Sequence, residues 1–129
     1  MSFTAILSKE VDLAQNTSLR IIYFDTVIGY RPSTYDVGWI VDILSQVTSH
    51  FIERVSISIF LPKLEKLALF NLSALDVLFS GRGTVFAEQS TRLLFRVVGR
   101  VDKGEAEMVM RKSLPQLDAQ GRLEFYFFY

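Results

Sequence analysis

WIVDILSQVTSHFIERVSISI, residues 39–59, holds two periodicities in succession. Trp39, Ile40, Ile43, Leu44 and Val47 recur at the three-to-four-residue spacing of one helix face. After a short break, Val55, Ile57 and Ile59 alternate with Ser56 and Ser58, the two-residue period of a strand with one side toward a core. A helix running directly into such a strand is the return half of a βαβ unit, in which the crossover lets successive strands run parallel.

Working outward, the same pattern recurs. Strand character is found in LRIIYF (19–24), IERVSISIF (52–60), RLLFRVV (92–98) and RLEFYFFY (122–129). A helix is expected over 33–49, with Ser33 and Asp36 at capping-box spacing. A second is expected over 71–81, with Leu72, Leu75, Leu78 and Phe79 as its stripe, Ser73 and Asp76 at capping spacing, and Gly81 at its end. A third covers 104–121, where Ala106, Val109, Met110, Leu114 and Leu117 align, Asp102 can cap the start, and Pro115 kinks or closes the helix. LPKLEKLALF (61–70) reads as the opening of a further repeat or as a lead into the helix at 71, with Pro62, Lys63, Glu65 and Lys66 suiting helix slightly better; GRGTVFAEQ (81–89) reads as loop, and VIGYRP (27–32) as a turn.

The order β-α-β-α-β-α-β predicts an α/β fold with a mostly parallel sheet. Strand starts about 30 to 40 residues apart suit an irregular leucine-rich-repeat-like βαβ solenoid segment if the helices lie on one face, and an open sandwich if they lie on both. The chain is read as one repeat-like domain, 1–129, with residues 1–17 as a short N-terminal cap.

Composition narrows the function classes. Fourteen basic and fourteen acidic residues cancel, so no global field favours nucleic acid or an acidic membrane. Cysteine is absent, which removes disulfides and thiolate chemistry. MSFTAILSKEVDL lacks the pattern of a signal peptide, and no run of apolar residues is long enough for a spanning helix. An intracellular chain, cytoplasmic or nuclear, with no membrane or nucleic-acid partner, is expected.

No constellation of catalytic residues emerges. His50 is the one histidine and follows a helix, with no cysteine or second histidine to act beside it. Asp36 and Asp42, six apart, fall on different helix faces, and Glu105 and Glu107 suit the electrostatics of a helix start. Gly81-Arg82-Gly83-Thr84 follows a helix, whereas a phosphate loop follows a strand and ends in lysine and a hydroxyl residue. No enzyme, cofactor or metal site is therefore expected, and a protein partner is.

The candidate contact residues form three sets. Arg92, Arg96 and Arg100 share one side of a strand if it extends that far, a side they share with Leu94 and Val98. Tyr30 and Tyr35 lie in an expected loop. In the final strand Leu123, Phe125 and Phe127 would pack beneath the last helix, leaving Tyr126, Phe128 and Tyr129 as an interface for a partner or a second copy.

WIVDILSQVTSHFIERVSISI (39–59) and LSALDVLFSGRGTVFAEQSTRLLFRVVG (72–99) share a grammar of helix, aspartate, loop and alternating strand, and KSLPQLDAQGRLEFYF (112–127) closes it with a leucine-proline-x-leucine helix, a glycine and a strand. In this the chain, over roughly residues 18–127, resembles the carboxy-terminal leucine-rich-repeat-like region of F-box proteins from mushroom-forming fungi. The resemblance implies a degenerate repeat solenoid that recognises or presents substrate for a ubiquitin ligase, and it brings no catalytic residues. MSFTAILSKEVDL is too short for an F-box and lacks its leucine-proline opening.

Overall fold

In the computed structural model, residues 4–7, 20–28 and 36–128 are described, with side chains for 20–24 and 36–128. The five strands are β1 (Thr4–Leu7), β2 (Ile21–Ile28), β3 (Arg54–Phe60), β4 (Arg92–Val98) and β5 (Leu123–Phe128). They form one sheet in the order β1-β2-β3-β4-β5, and every neighbouring pair is parallel. Helix α1 (Gly38–Leu44) joins β2 to β3. A 3-10 helix (Leu64–Leu69), α2 (Ser73–Ser80) and α3 (Val85–Glu88) join β3 to β4. Helices α4 (Lys103–Ser113) and α5 (Pro115–Ala119) join β4 to β5.

The register explains the core. Ile22, Val55, Leu93 and Leu123 line up across four strands, and Phe24, Ile57, Phe95 and Phe125 make the next row. These side chains point to one side, where they form a single cluster with Ile40, Ile43 and Leu44 of α1, Leu75 and Phe79 of α2, Met110 of α4 and Leu117 of α5. The phenyl rings of Phe95 and Phe125 stack with centroids 5.8 Å apart. Among the described residues the helices thus cover one face of the sheet, as in a generic α/β domain. A fully buried residue of this kind contributes on the order of 1.5–3 kcal/mol through removal of apolar surface from water.

Several local expectations are corrected. Helix α1 starts only at Gly38; its N-cap is Val37, and Asp36 accepts a hydrogen bond from the Gly38 N–H at 2.6 Å, while Ser33 lies outside the described residues. Strand β2 continues through Val27 and Ile28, which were read as turn. Residues 64–69 are neither strand nor α-helix but a 3-10 helix. Within the expected loop, Thr84 accepts a hydrogen bond from the Ala87 N–H at 3.1 Å and so caps the short α3. Gly81 ends α2 with φ at −65°, without the left-handed turn of a glycine cap. The expected third helix breaks at Leu114, because Pro115 cannot continue a helix but suits the first position of a new one. Asp102 caps α4 as expected, accepting from the Glu105 N–H at 2.8 Å.

Asp76 departs furthest from its reading. It is 4% exposed and does not cap its own helix; Ser73 instead donates to Asn71 at 3.2 Å. The Asp76 carboxylate accepts from the Leu117 N–H at 2.9 Å and the Gln116 N–H at 3.3 Å. It therefore satisfies the first N–H groups of α5, forty residues away, which have no side-chain cap of their own.

Candidate interaction surface

Alternation leaves the other side of the sheet without helices among the described residues. Its described side chains are Ile21, Tyr23, Arg54, Ser56, Ser58, Phe60, Arg92, Leu94, Arg96, Val98, Glu124, Tyr126 and Phe128, set in rows by the parallel register. Arg54 and Arg92 are neighbours in one row, and Glu124 reaches both. Its carboxylate accepts from Arg92 Nε at 2.9 Å and lies 3.4 Å from Arg54 Nε. Arg96 and Tyr126 face each other across β4 and β5. The Arg96 guanidinium lies over the Phe128 ring, 5.4 Å from its centroid. Tyr126 is 59% and Phe128 43% exposed, among the most exposed large apolar side chains described.

The outer edge of β5 is the second part of the surface, since β4 is its one strand neighbour among the described residues. The Leu93 N–H donates to the Arg122 carbonyl and the Gly99 N–H to the Phe128 carbonyl. Even-numbered residues of this segment thus turn their backbone groups inward to β4, and Leu123, Phe125 and Phe127 turn theirs outward. On the covered side Phe125 and Phe127 are half-buried, and Arg111 sits 5.0 Å from the Phe125 ring centroid, held by Glu107 and Asp118. The Asp118 hydrogen bond raises the Arg111 pKa above its ordinary value, against the opposing effect of burial.

The sequence-derived candidates divide accordingly. Arg92, Arg96, Tyr126 and Phe128 come together on the open face. Arg100 does not join them: β4 ends at Val98, and Gly99, at φ +146°, turns the chain away. A side chain at Gly99 would meet the Leu61 carbonyl oxygen at 2.0 Å, so the two strand exits approach too closely for any residue but glycine. Tyr30, Tyr35 and Tyr129 lie outside the described residues. His50 is exposed, with Nδ1 3.9 Å from a Glu88 oxygen. Among the described residues no group of three or more histidine or acidic side chains is placed to hold a metal ion, and no helix is long and apolar enough to cross a membrane.

Sequence reasoning missed three contributors. Arg54 and Glu124 meet only through the strand register, although both carry the parity of Arg92. Arg122 is 6% exposed and enters the helix layer, where it donates to the backbone carbonyls of Thr91 (3.0 Å), Phe79 (3.1 Å) and Phe86 (2.8 Å) and to the Gln120 side chain (2.6 Å). Burial lowers its pKa, with the Asp76 charge acting in the opposite direction.

Fold and surface together define a small α/β domain with a parallel sheet, whose described helices cover one side. Comparison with family models, with curated proteins and with solved structures finds no match for this chain.

Proposed function

We propose that this chain is an association module and that its first partner is a second copy of itself, joined along the outer edge of β5. One observation carries this reading: the outward N–H and C=O groups of β5 have no strand neighbour among the described residues, in a strand whose one charge, Glu124, is already held by two arginines. Edge strands that avoid pairing carry lysine, proline, a bulge or an unpaired charge. LEFYFF contains none of these guards. Like edges meeting about a two-fold axis run antiparallel, and an axis normal to the sheet keeps both open faces on one side. Tyr126 of each protomer then lies beside the aromatic residues or Glu124 of the other.

Sedimentation velocity over a wide range of concentration tests this. A monomer–dimer equilibrium is expected, and Tyr126→Glu should abolish it, because the new carboxylate would face Glu124 or its own copy. Its circular dichroism should stay unchanged, since the side chain is exposed. A wild-type chain that stays monomeric throughout would sink the reading.

The strictly sequential parallel order favours a second reading. As the resemblance to fungal F-box proteins implies, a degenerate leucine-rich-repeat segment would present its open face to a different protein. A monomeric chain forming a stoichiometric complex with one other protein would favour that alternative. Neither reading calls for catalysis.

A further inference from the structure

Among its described side chains the open face carries an imbalance of charge. Its described side chains include three arginines, Arg54, Arg92 and Arg96, against one carboxylate, Glu124. Glu124 is shared between Arg54 and Arg92, so its charge is outnumbered where it is bound. Arg96 has an aromatic ring beneath it. A guanidinium lying over a ring keeps its N–H groups directed outward from its edge, in the fork that matches a carboxylate. Leu94, Val98 and Tyr126 surround it with apolar surface, which strengthens a charge-assisted hydrogen bond relative to open water.

Spacing adds a second constraint. Arg92 and Arg96 are four residues apart on β4 and point the same way, so they stand roughly 13 Å apart, with Leu94 between them. An extended peptide has the same repeat. Carboxylates on its first and fifth residues reach the two arginines, and an apolar third residue meets the exposed Tyr126 ring above the buried Leu94.

We propose that the open face binds an acidic, extended peptide segment of the pattern acid-x-apolar-x-acid, laid along β4 with one carboxylate on Arg96. The site is on the face of the sheet and not on its edge. It therefore does not depend on β5 pairing and is available to monomer and dimer alike.

Fluorescence anisotropy on the full chain tests the proposal, with a labelled nine-residue peptide carrying Glu-Ser-Leu-Ser-Glu at its centre. A second peptide with both glutamates replaced by glutamine is the comparison. Saturable binding is expected, weaker by roughly tenfold for the glutamine peptide and by a similar factor for the Arg96→Gln chain. Added salt should weaken it, and Arg96→Lys should recover only part of the loss, because the ammonium keeps the charge without the planar fork. Lys112→Gln, which removes an exposed charge on α4, should change nothing. The proposal is overturned by any of four results: no binding, equal binding of the two peptides, equal losses in the Arg96 and Lys112 variants, or a labelled oligothymidine that binds more tightly than the acidic peptide.

Discussion

Arg92 and Arg122 occupy matching places, and the surroundings of β4 and β5 treat them in opposite ways. Each stands one residue before a core leucine, Leu93 or Leu123, and those leucines are register partners. Arg92 remains exposed on the open face and pairs with Glu124. Arg122 is buried where it donates to the carbonyls of Phe79 in α2 and Phe86 in α3, the latter shared with the Thr91 N–H. Gly121, at φ +67°, sets the chain entering β5, whereas Thr91 enters β4 by donating its hydroxyl to the Ile52 carbonyl at 2.7 Å. The lesson is that register position does not decide what an arginine does. Unsatisfied acceptors within its reach do.

The two sides of the sheet should differ just as sharply in stability. Phe95→Ala removes a fully buried ring from the covered side and should cost about 3–5 kcal/mol in urea unfolding. A loss comparable to that of an exposed residue would break the distinction between the faces. Arg122→Met should come next, at about 3 kcal/mol, because the carbonyls of Thr91 and Phe79 would lose the Arg122 donor inside the protein, while that of Phe86 keeps the Thr91 N–H. Arg122→Lys should recover only part of this, since one ammonium cannot span the same acceptors. Asp76→Asn keeps an acceptor for one α5 N–H group but loses the charge, and should cost about 1–2 kcal/mol. Arg92→Gln should cost less than about 1 kcal/mol, and that difference should shrink with added salt, as for other solvent-screened pairs. If Arg92 and Arg122 gave equal effects, the contrast between them would fail.

What was legible in the sequence follows from the range of the forces involved. Strand alternation is local, so Val55, Ile57 and Ile59 read as one side of a strand, and the structure buries them together. The aromatic division of β5 was readable for the same reason. Breaks set by a single residue were partly readable: Pro115 signalled the end of α4, but Gly99 was not recognised as the point where Arg100 leaves the strand. Thr84 as a cap was hidden because a four-residue helix has no periodicity to detect. Contacts across the fold were not readable at all. Asp76 reads as the partner of Ser73 at capping spacing, and only the packing of α5 against α2 reveals the N–H groups it serves. On the open face, parity grouped Arg92 with Arg96 and Tyr126 with Phe128, but the meeting of Arg54 and Glu124 required the register of three strands.

Asp76 and Arg122 also bear on how the molecule comes apart. In stacked repeat proteins each unit contributes its own stability plus an interface term, and ends can fray while the centre holds. Here the β3–β4 crossover supplies the acceptor for the first turn of α5, and the segment entering β5 supplies a donor for the Phe79 carbonyl of α2 and a second donor for the Phe86 carbonyl of α3. Neither crossover has its buried polar groups satisfied without the other. Amide hydrogens of α2, α5 and β5 should therefore exchange with a common opening free energy, so that this half of the chain unfolds as one block rather than peeling strand by strand from β5.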